Sequence, residues 1–328
     1  MLREFHFIRE PWPLAMPFRI ARGVRTVAEV IVVEVRQDGA IGRGEGAPLA
    51  RYGETSESCA RQLAKIADEV EAGLGRTELV DHMPAGAARN ALDCALWDLE
   101  ARLQGRSVSG RLSPDATGPV VTAMTIGLDT PAAMSEAARA LAQLPLLKIK
   151  VNADDPAGQI RAARAGAPAA QMIVDANESW TPDLLKTMGP VLEAENIALL
   201  EQPLPAGQDQ ALRGLAFPIP ICADESCHVA ADLDGLVGAY QAVNIKLDKT
   251  GGLTAALDLL AQARDRDLMV MTGCMICTSL AIAPAFQLAR RSDLADLDGP
   301  TWLKQDRPGG IRRVAGLLHP PAAALWGG

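Results

Sequence analysis

The 328-residue chain contains no run of lysine or arginine, and its formal net charge of −8 gives a pI near 5.2. A nucleic acid or an anionic membrane needs a basic patch to displace counterions, so neither is expected as a partner. Low-complexity tracts and blocks of like charge are absent, and 48% hydrophobic residues supply ample core, which excludes disorder. The opening MLREFHFIRE is charged from its third residue and lacks the apolar core of a secretory signal, so a cytoplasmic protein is expected. One uncharged stretch, residues 268–289, is long enough to span a bilayer. Thr272, Gly273, Thr278, Ser279, Pro284 and Gln287 are spread along it, however, and a buried strand followed by a buried helix fits it better. Cysteine is sparse and scattered (Cys59, Cys94, Cys222, Cys227, Cys274, Cys277), which implies reduced thiols and no disulfide framework. Cys274 and Cys277 form a C-x-x-C, but Cys222 and Cys227 complement it poorly as a zinc half-site. The four histidines show no H-x-x-x-H pairing.

What is present has two parts, as expected of a chain longer than a common single core. Residues 28–48 alternate like a hairpin, with Asp38-Gly39 as the turn, and helical periodicity follows over 56–75 and 85–105, where Ala91, Ala95, Leu99 and Leu103 share a face. This reads as an α+β module. From Val120 the pattern changes to eight short apolar runs separated by helical stretches: VVTAMTI, LLKIKV, MIVDAN, IALLEQP, IPICADES, AVNIKLD, LMVMTGC and the run ending LADLDG. Strands buried on both faces and joined by helices predict a (β/α)-barrel. An open doubly wound sheet is the alternative. It is disfavoured because no G-x-G-x-x-G follows the first run, and GRGEG at 42–46 has the wrong spacing and lies in the hairpin.

Most of the runs end in charge. Lys148 and Lys150 close the second, Asp175 the third, Glu201 the fourth, Asp224 the fifth, Lys246 the sixth, and Asp296 with Asp298 the eighth. From Lys150 to Lys246 the intervals are 25, 26, 23 and 22 residues, one βα unit each, so these side chains should converge at the C-terminal mouth of the barrel. Three carboxylates on adjacent strands repel one another unless a cation sits among them, and hard oxygens without His or Cys favour Mg²⁺, with Mn²⁺ as a substitute. The competing reading has each acid capping a helix or pairing with a lysine. Lys150 and Lys246 lie four strands apart and so face each other across the mouth. A base on either side of one carbon permits removal of a proton from one face and its return to the other, provided that the lysine pKa is lowered. Gly251-Gly252 offers a rival, a phosphate site at a helix N-terminus suited to a sugar-phosphate enzyme.

At these residues the sequence resembles the muconate-lactonising branch of the enolase superfamily, and most closely the dipeptide epimerases acting on L-Ala-D/L-Glu. The likeness runs through WPLAMPFRIARGVR, RYGE, PAGAARNALDCALWDLEAR, VDANESW, LEQPLP, ICADESCH, VNIKLDKTGGL, GCMICTS and ADLDGPTWL, nearly the whole chain. It implies an α+β capping domain at 1–115, with a tail from about 305 to 328 returning to it, over a modified (β/α)7β TIM-like barrel at 116–304. It places metal ligands at Asp175, Glu201 and Asp224, acid/base lysines at Lys150 and Lys246, and a charge-stabilising lysine at Lys148. Asp296 and Asp298 would receive the substrate ammonium, and Arg25 its distal carboxylate. Thr125, Cys274 and Thr272 are expected to line the pocket, and Met124 and Leu280 are less typical residues that could alter it. The implied activity is Mg²⁺-dependent inversion of the Glu α-carbon of L-Ala-D/L-Glu, by two-base 1,1-proton transfer through a metal-stabilised enolate. A cycloisomerase, an o-succinylbenzoate synthase, a Schiff-base aldolase and a non-catalytic binding module remain as alternatives. The expected partner is a small dipeptide, and a homo-oligomer is left open.

Overall fold

The computed structural model describes residues 3–20, 23–112 and 118–328, so the expected boundary between residues 115 and 116 lies outside the described residues. The chain opens with a three-stranded antiparallel sheet of β1 (Glu4–Ile20), β2 (Gly23–Gln37) and β3 (Ala40–Gly46). Asp38 (φ 50°) and Gly39 (φ 81°) make the β2–β3 turn with the positive φ pair that matches strand twist. Both faces of β2 are buried over residues 30–33. Ile31, Val33 and Val35 pack with the helices Ser56–Glu71 and Ala87–Gln104, while Val30 and Val32 join the core of the barrel. This is why the hairpin reads apolar on both sides. The GRGEG segment lets the second helix lie directly on the sheet. A Cβ at Gly42, Gly44 or Gly46 would meet the carbonyl oxygen of Ala95, Ala91 or Ala87 at 2.2, 2.1 and 2.1 Å respectively, so only glycine fits at these positions.

Eight parallel strands follow: β5 (Met124–Ile126), β6 (Leu146–Lys150), β7 (Gln171–Asp175), β8 (Ile197–Glu201), β9 (Ile221–Ala223), β10 (Ala242–Ile245), β11 (Met269–Gly273) and β12 (Leu294–Asp296), paired in chain order. The seam between first and last closes through Ala123 N–H to Ala295 O (2.9 Å) and Leu297 N–H to Thr122 Oγ1 (2.8 Å). The expected first run is divided. Val120–Val121 forms a separate β4, antiparallel to β14 (Leu317–Leu318), itself paired with β13 (Arg313–Val314), because residues 122–123 are used for closure. Thr130, Asp155 and Thr181 cap barrel helices that begin with Pro131, Pro156 and Pro182, where the missing N–H costs nothing. The 268–289 stretch is a strand and a buried helix, Ser279–Ala289, and among the described residues no helix is long and apolar enough to cross a membrane. The tail binds the first module. Trp326 is buried and donates Nε1–H to Cys94 O (3.0 Å), and Gly327 N–H donates to Asp98 Oδ1 (2.8 Å).

An interior layer of Ala123, Leu146, Ile173, Leu199, Cys222, Ala242 and Met271 plugs the N-terminal end of the barrel. The open end is therefore the C-terminal one, beneath the antiparallel sheet.

Candidate active site

Strand register brings the charged residues to one level. Lys150 pairs with Asp175 across β6–β7, and Asp175 with Glu201 across β7–β8; Asp224 and Lys246 lie one residue beyond β9 and β10. Lys148 and Lys150 point to the same side because alternate residues of a strand share a face. Together with Asp224, Lys246, Asp296, Asp298, Thr125 and Cys274, both line a cavity of about 490 Å³. The first module closes it from above through Phe18, Val24 and Arg25 at the β1–β2 end and through Leu49, Ala50, Arg51 and Tyr52.

Inside, ammonium and carboxylate groups interleave. Lys148 Nζ lies 2.6 Å from Glu201 Oε2, 2.7 Å from Asp296 Oδ2 and 3.0 Å from Asp175 Oδ2. Lys150 Nζ meets Asp175 Oδ2 at 2.5 Å, and Lys246 and Lys249 bracket Asp224 at 2.7 Å each. Burial opposes charge on Lys148 and Lys246, but Asp296 and its neighbours outweigh it at Lys148, and Asp224 does so at Lys246; both pKa values rise. The lowered lysine pKa expected of a resting base is thus not found at Lys246, and drawing Asp224 away would lower it. Burial likewise works against Asp175 and Asp224, yet Lys150 and Lys148 beside the first, and Lys246 and Lys249 beside the second, hold them below the usual carboxylate range. Glu201 differs: burial and then the charge of Asp175 push it up to about 8.

Among the described residues no three acidic, His or Cys side chains are gathered tightly enough to enclose a metal ion, since lysine ammonium groups stand between the acids. The donor chemistry nevertheless fits a hard divalent cation. Glu201 Oε2 is fully buried and, although close to Lys148, lies off the hydrogen-bonding direction and makes no hydrogen bond. Its other oxygen accepts from Asn244 Nδ2 at 2.8 Å, which fixes the carboxylate plane. Asp298 is pushed up by burial and by Asp296, and accepts from Thr125 N–H at 2.8 Å. Asp296 Oδ1 is buried without a hydrogen-bond partner and is available to a donor entering the cavity.

Not every expected residue is here. Thr272 is buried against Ser292 Oγ (2.6 Å) behind the strand, and neither it nor Met124 lines the cavity. Leu280 faces a separate hollow between β1 and the tail. The Gly251-Gly252 helix start is not a phosphate site. Asp93 already accepts Thr254 N–H at 3.0 Å, and Arg89 binds the carbonyls of Thr250 (2.5 Å) and Gly251 (3.1 Å). Cys222 belongs to the barrel plug and Cys277 is buried behind Cys274.

Sequence reasoning missed several residues. Lys249, three residues after Lys246, reaches back to Asp224; Gln202 Oε1 accepts Asp224 N–H at 2.8 Å. Arg51 pairs with Glu178 through Nη2–Oε1 at 2.8 Å and Nε–Oε2 at 3.1 Å, spanning the two modules, and Tyr52 packs edge-on against His228 at 4.4 Å. The sole signal for these was their place beside strand ends or in the RYGE segment.

Two family models cover most of the chain: "Mandelate racemase / muconate lactonizing enzyme, N-terminal domain" matches residues 2–112, and "Enolase C-terminal domain-like" matches 132–324. The chain is 46% identical to an L-Ala-D/L-Glu epimerase of Escherichia coli K12, over 97% of its own length and 100% of that protein. It is 44% identical to an N-acetyl-D-glutamate racemase of a Pseudoalteromonas species, over 91% and 95%. Among solved structures, an enolase family member from Agrobacterium tumefaciens, with bound sodium and L-Ala-L-Glu, superposes with a TM-score of 0.97 at 45% identity, covering 99% of this chain and 100% of that one. A dipeptide epimerase from Enterococcus faecalis V583, complexed with Mg and L-Leu-L-Tyr, gives 0.91 at 29% identity over 99% of both chains.

Proposed function

The chain belongs to the mandelate racemase/muconate lactonizing enzyme family of the enolase superfamily, and from that premise and the site above we propose that it is a Mg²⁺-dependent epimerase of L-Ala-D/L-Glu. The observation that carries this reading is the placement of Lys150 at the end of β6 and Lys246 just beyond β10, four strands apart, lining one cavity with the acidic pair Asp296 and Asp298. In this assignment residues 1–115 and the tail from about 305 form the cap, 116–304 form the barrel, and the protein works in the cytoplasm on a small dipeptide.

Asp175, Glu201 and Asp224 would hold the cation, which supplies positive charge to the substrate's α-carboxylate as the α-proton leaves. Lys148, fixed among Asp175, Glu201 and Asp296, adds a charged donor on the same side. One lysine takes the α-proton and the lysine opposite delivers another to the other face. Asp296 and Asp298 receive the ammonium group of the dipeptide, the first through its unpartnered buried oxygen. A Schiff base and proton abstraction both need a neutral amine, so the charge that Asp224 holds on Lys246 does not separate the two mechanisms.

Recognition of the amine separates this reading from an N-acetyl-D-glutamate racemase, the activity named for the second relative. Asp298→Asn is expected to lower kcat/KM about 10–100-fold more for L-Ala-L-Glu than for N-acetylglutamate, because only the former brings an ammonium group. Equal losses, or higher activity of the unmutated enzyme on N-acetylglutamate, would move the assignment to the N-acyl substrate.

Arg25 stands on the outer cavity wall, where a distal carboxylate would reach it. Arg25→Met should cost L-Ala-L-Glu about 1–2 kcal/mol in kcat/KM and spare L-Ala-L-Leu, a figure between those for exposed and desolvated charge pairs. Equal loss on both dipeptides would show that Arg25 holds the loop and does not read the substrate.

A further inference from the structure

Lys246 opens a short turn, Leu247–Thr250, and the cap reaches down to hold that turn. Asp248, buried and two residues from Lys246, offers one oxygen, Oδ1, to two cap donors: Ala47 N–H at 2.9 Å, just past β3, and Asn90 Nδ2 at 2.7 Å, in the long cap helix. Arg89, beside Asn90, binds the carbonyls that end the turn. Asn90 Nδ2 also donates to Glu45 O at 3.2 Å, so strand end, helix and turn form one unit. From Ala47 the chain runs on into Leu49–Tyr52, which line the cavity. A single carboxylate thus joins the segment that closes over the substrate to the segment that carries one of the two lysines.

We propose that Asp248 is a positioning residue for Lys246, through which the cap sets the aim of that lysine toward the α-carbon. The proposal rests on the two-base reading. Lys150 lies within β6, is held in the barrel ladder opposite Asp175 and pairs with it, and among the described residues no hydrogen bond like that of Asp248 joins its strand to the cap. Loss of Asp248 should therefore disturb one face of the reaction and leave the other. A purely structural role would weaken both alike.

The test follows exchange of the α-proton with deuterium, separately for L-Ala-L-Glu and L-Ala-D-Glu, in the Mg²⁺-loaded enzyme. Lys150→Ala and Lys246→Ala first assign each epimer to a lysine. If neither shows a preference for one epimer, the two-base reading itself fails, independently of Asp248. Given that assignment, Asp248→Ala should slow exchange at the Lys246 face about 10–100-fold more than at the Lys150 face, as expected of a misaimed base. The loss should fall on kcat more than on KM. Asp248→Asn keeps Oδ1 and should restore most of the lost rate. Asn90→Ala removes one of the two bonds from the cap side and should give the same bias at smaller size, so it carries the test should Asp248→Ala not fold. Equal loss on both faces, no loss in either variant, or failure of Asp248→Asn to rescue would overturn the proposal.

Discussion

Glu201→Gln is expected to abolish epimerisation, with kcat/KM falling at least about 10³-fold, while the protein stays folded. The size of the effect follows from what Glu201 does. It lies between Asp175 and Asp224 in the strand series, one of its oxygens is fixed by Asn244, and the other is buried without a hydrogen bond. A neutral amide keeps the shape but removes the charge that would hold the cation beside the developing negative charge on the substrate, and such electrostatic terms are commonly the largest in a catalytic rate. Folding should be spared because Lys148, the buried partner of Glu201, keeps Asp296 at 2.7 Å and Asp175 at 3.0 Å, and burial already opposes ionisation of the Glu201 carboxyl. Activity measured after metal removal with EDTA and after restoration of Mg²⁺ checks the claim together with a thermal melt. Full turnover without metal, or in the Gln variant, would remove the cation from the mechanism.

The second large effect concerns the lysines. Lys150→Ala and Lys246→Ala should each reduce epimerisation by about 10²–10⁴-fold, the range for loss of a positioned acid or base. Neither should abolish chemistry entirely. The remaining lysine can still take a proton from the epimer that faces it and return deuterium to the same face, so label enters one epimer without inversion. Mass spectrometry of recovered L-Ala-L-Glu and L-Ala-D-Glu would show complementary labelling in the two variants. Label entering both epimers in either variant would require a base other than this pair.

The barrel was legible because its strands are buried on both faces, so each reads as an apolar run and any charge at its end stands out. Asp175, Glu201, Asp224 and Lys246 were visible for that reason, and the structure gathers them at one end of the barrel. Residues whose importance comes from tertiary placement gave no such signal. Lys249 looks like an ordinary charge in a turn until it meets Asp224, and Asp248 looks like a helix-start acid until Ala47 and Asn90 converge on it. Thr272 misled for the opposite reason: it lies near a strand end, but its side chain turns outward to Ser292. Val120–Val121 joined the first run because pairing with residues 317–318, nearly two hundred positions away, leaves no local trace. The GRGEG pattern was rejected as a nucleotide loop on its spacing, while its packing role became visible only with the Ala87–Ala91–Ala95 ridge against it.

The attachment of Trp326 to Cys94 bears on how the molecule comes into being. A ribosome delivers the cap's helices and sheet first, and N-terminal modules ordinarily fold as they emerge. Here the long cap helix keeps a carbonyl at Cys94 and a carboxylate at Asp98 waiting for groups 232 and 229 residues downstream. These two contacts of the cap helix can form only once residues 326 and 327, which follow every strand of the barrel, have been synthesised. Two hydrogen bonds thus tie the finished packing of the earlier module to a segment made after the barrel.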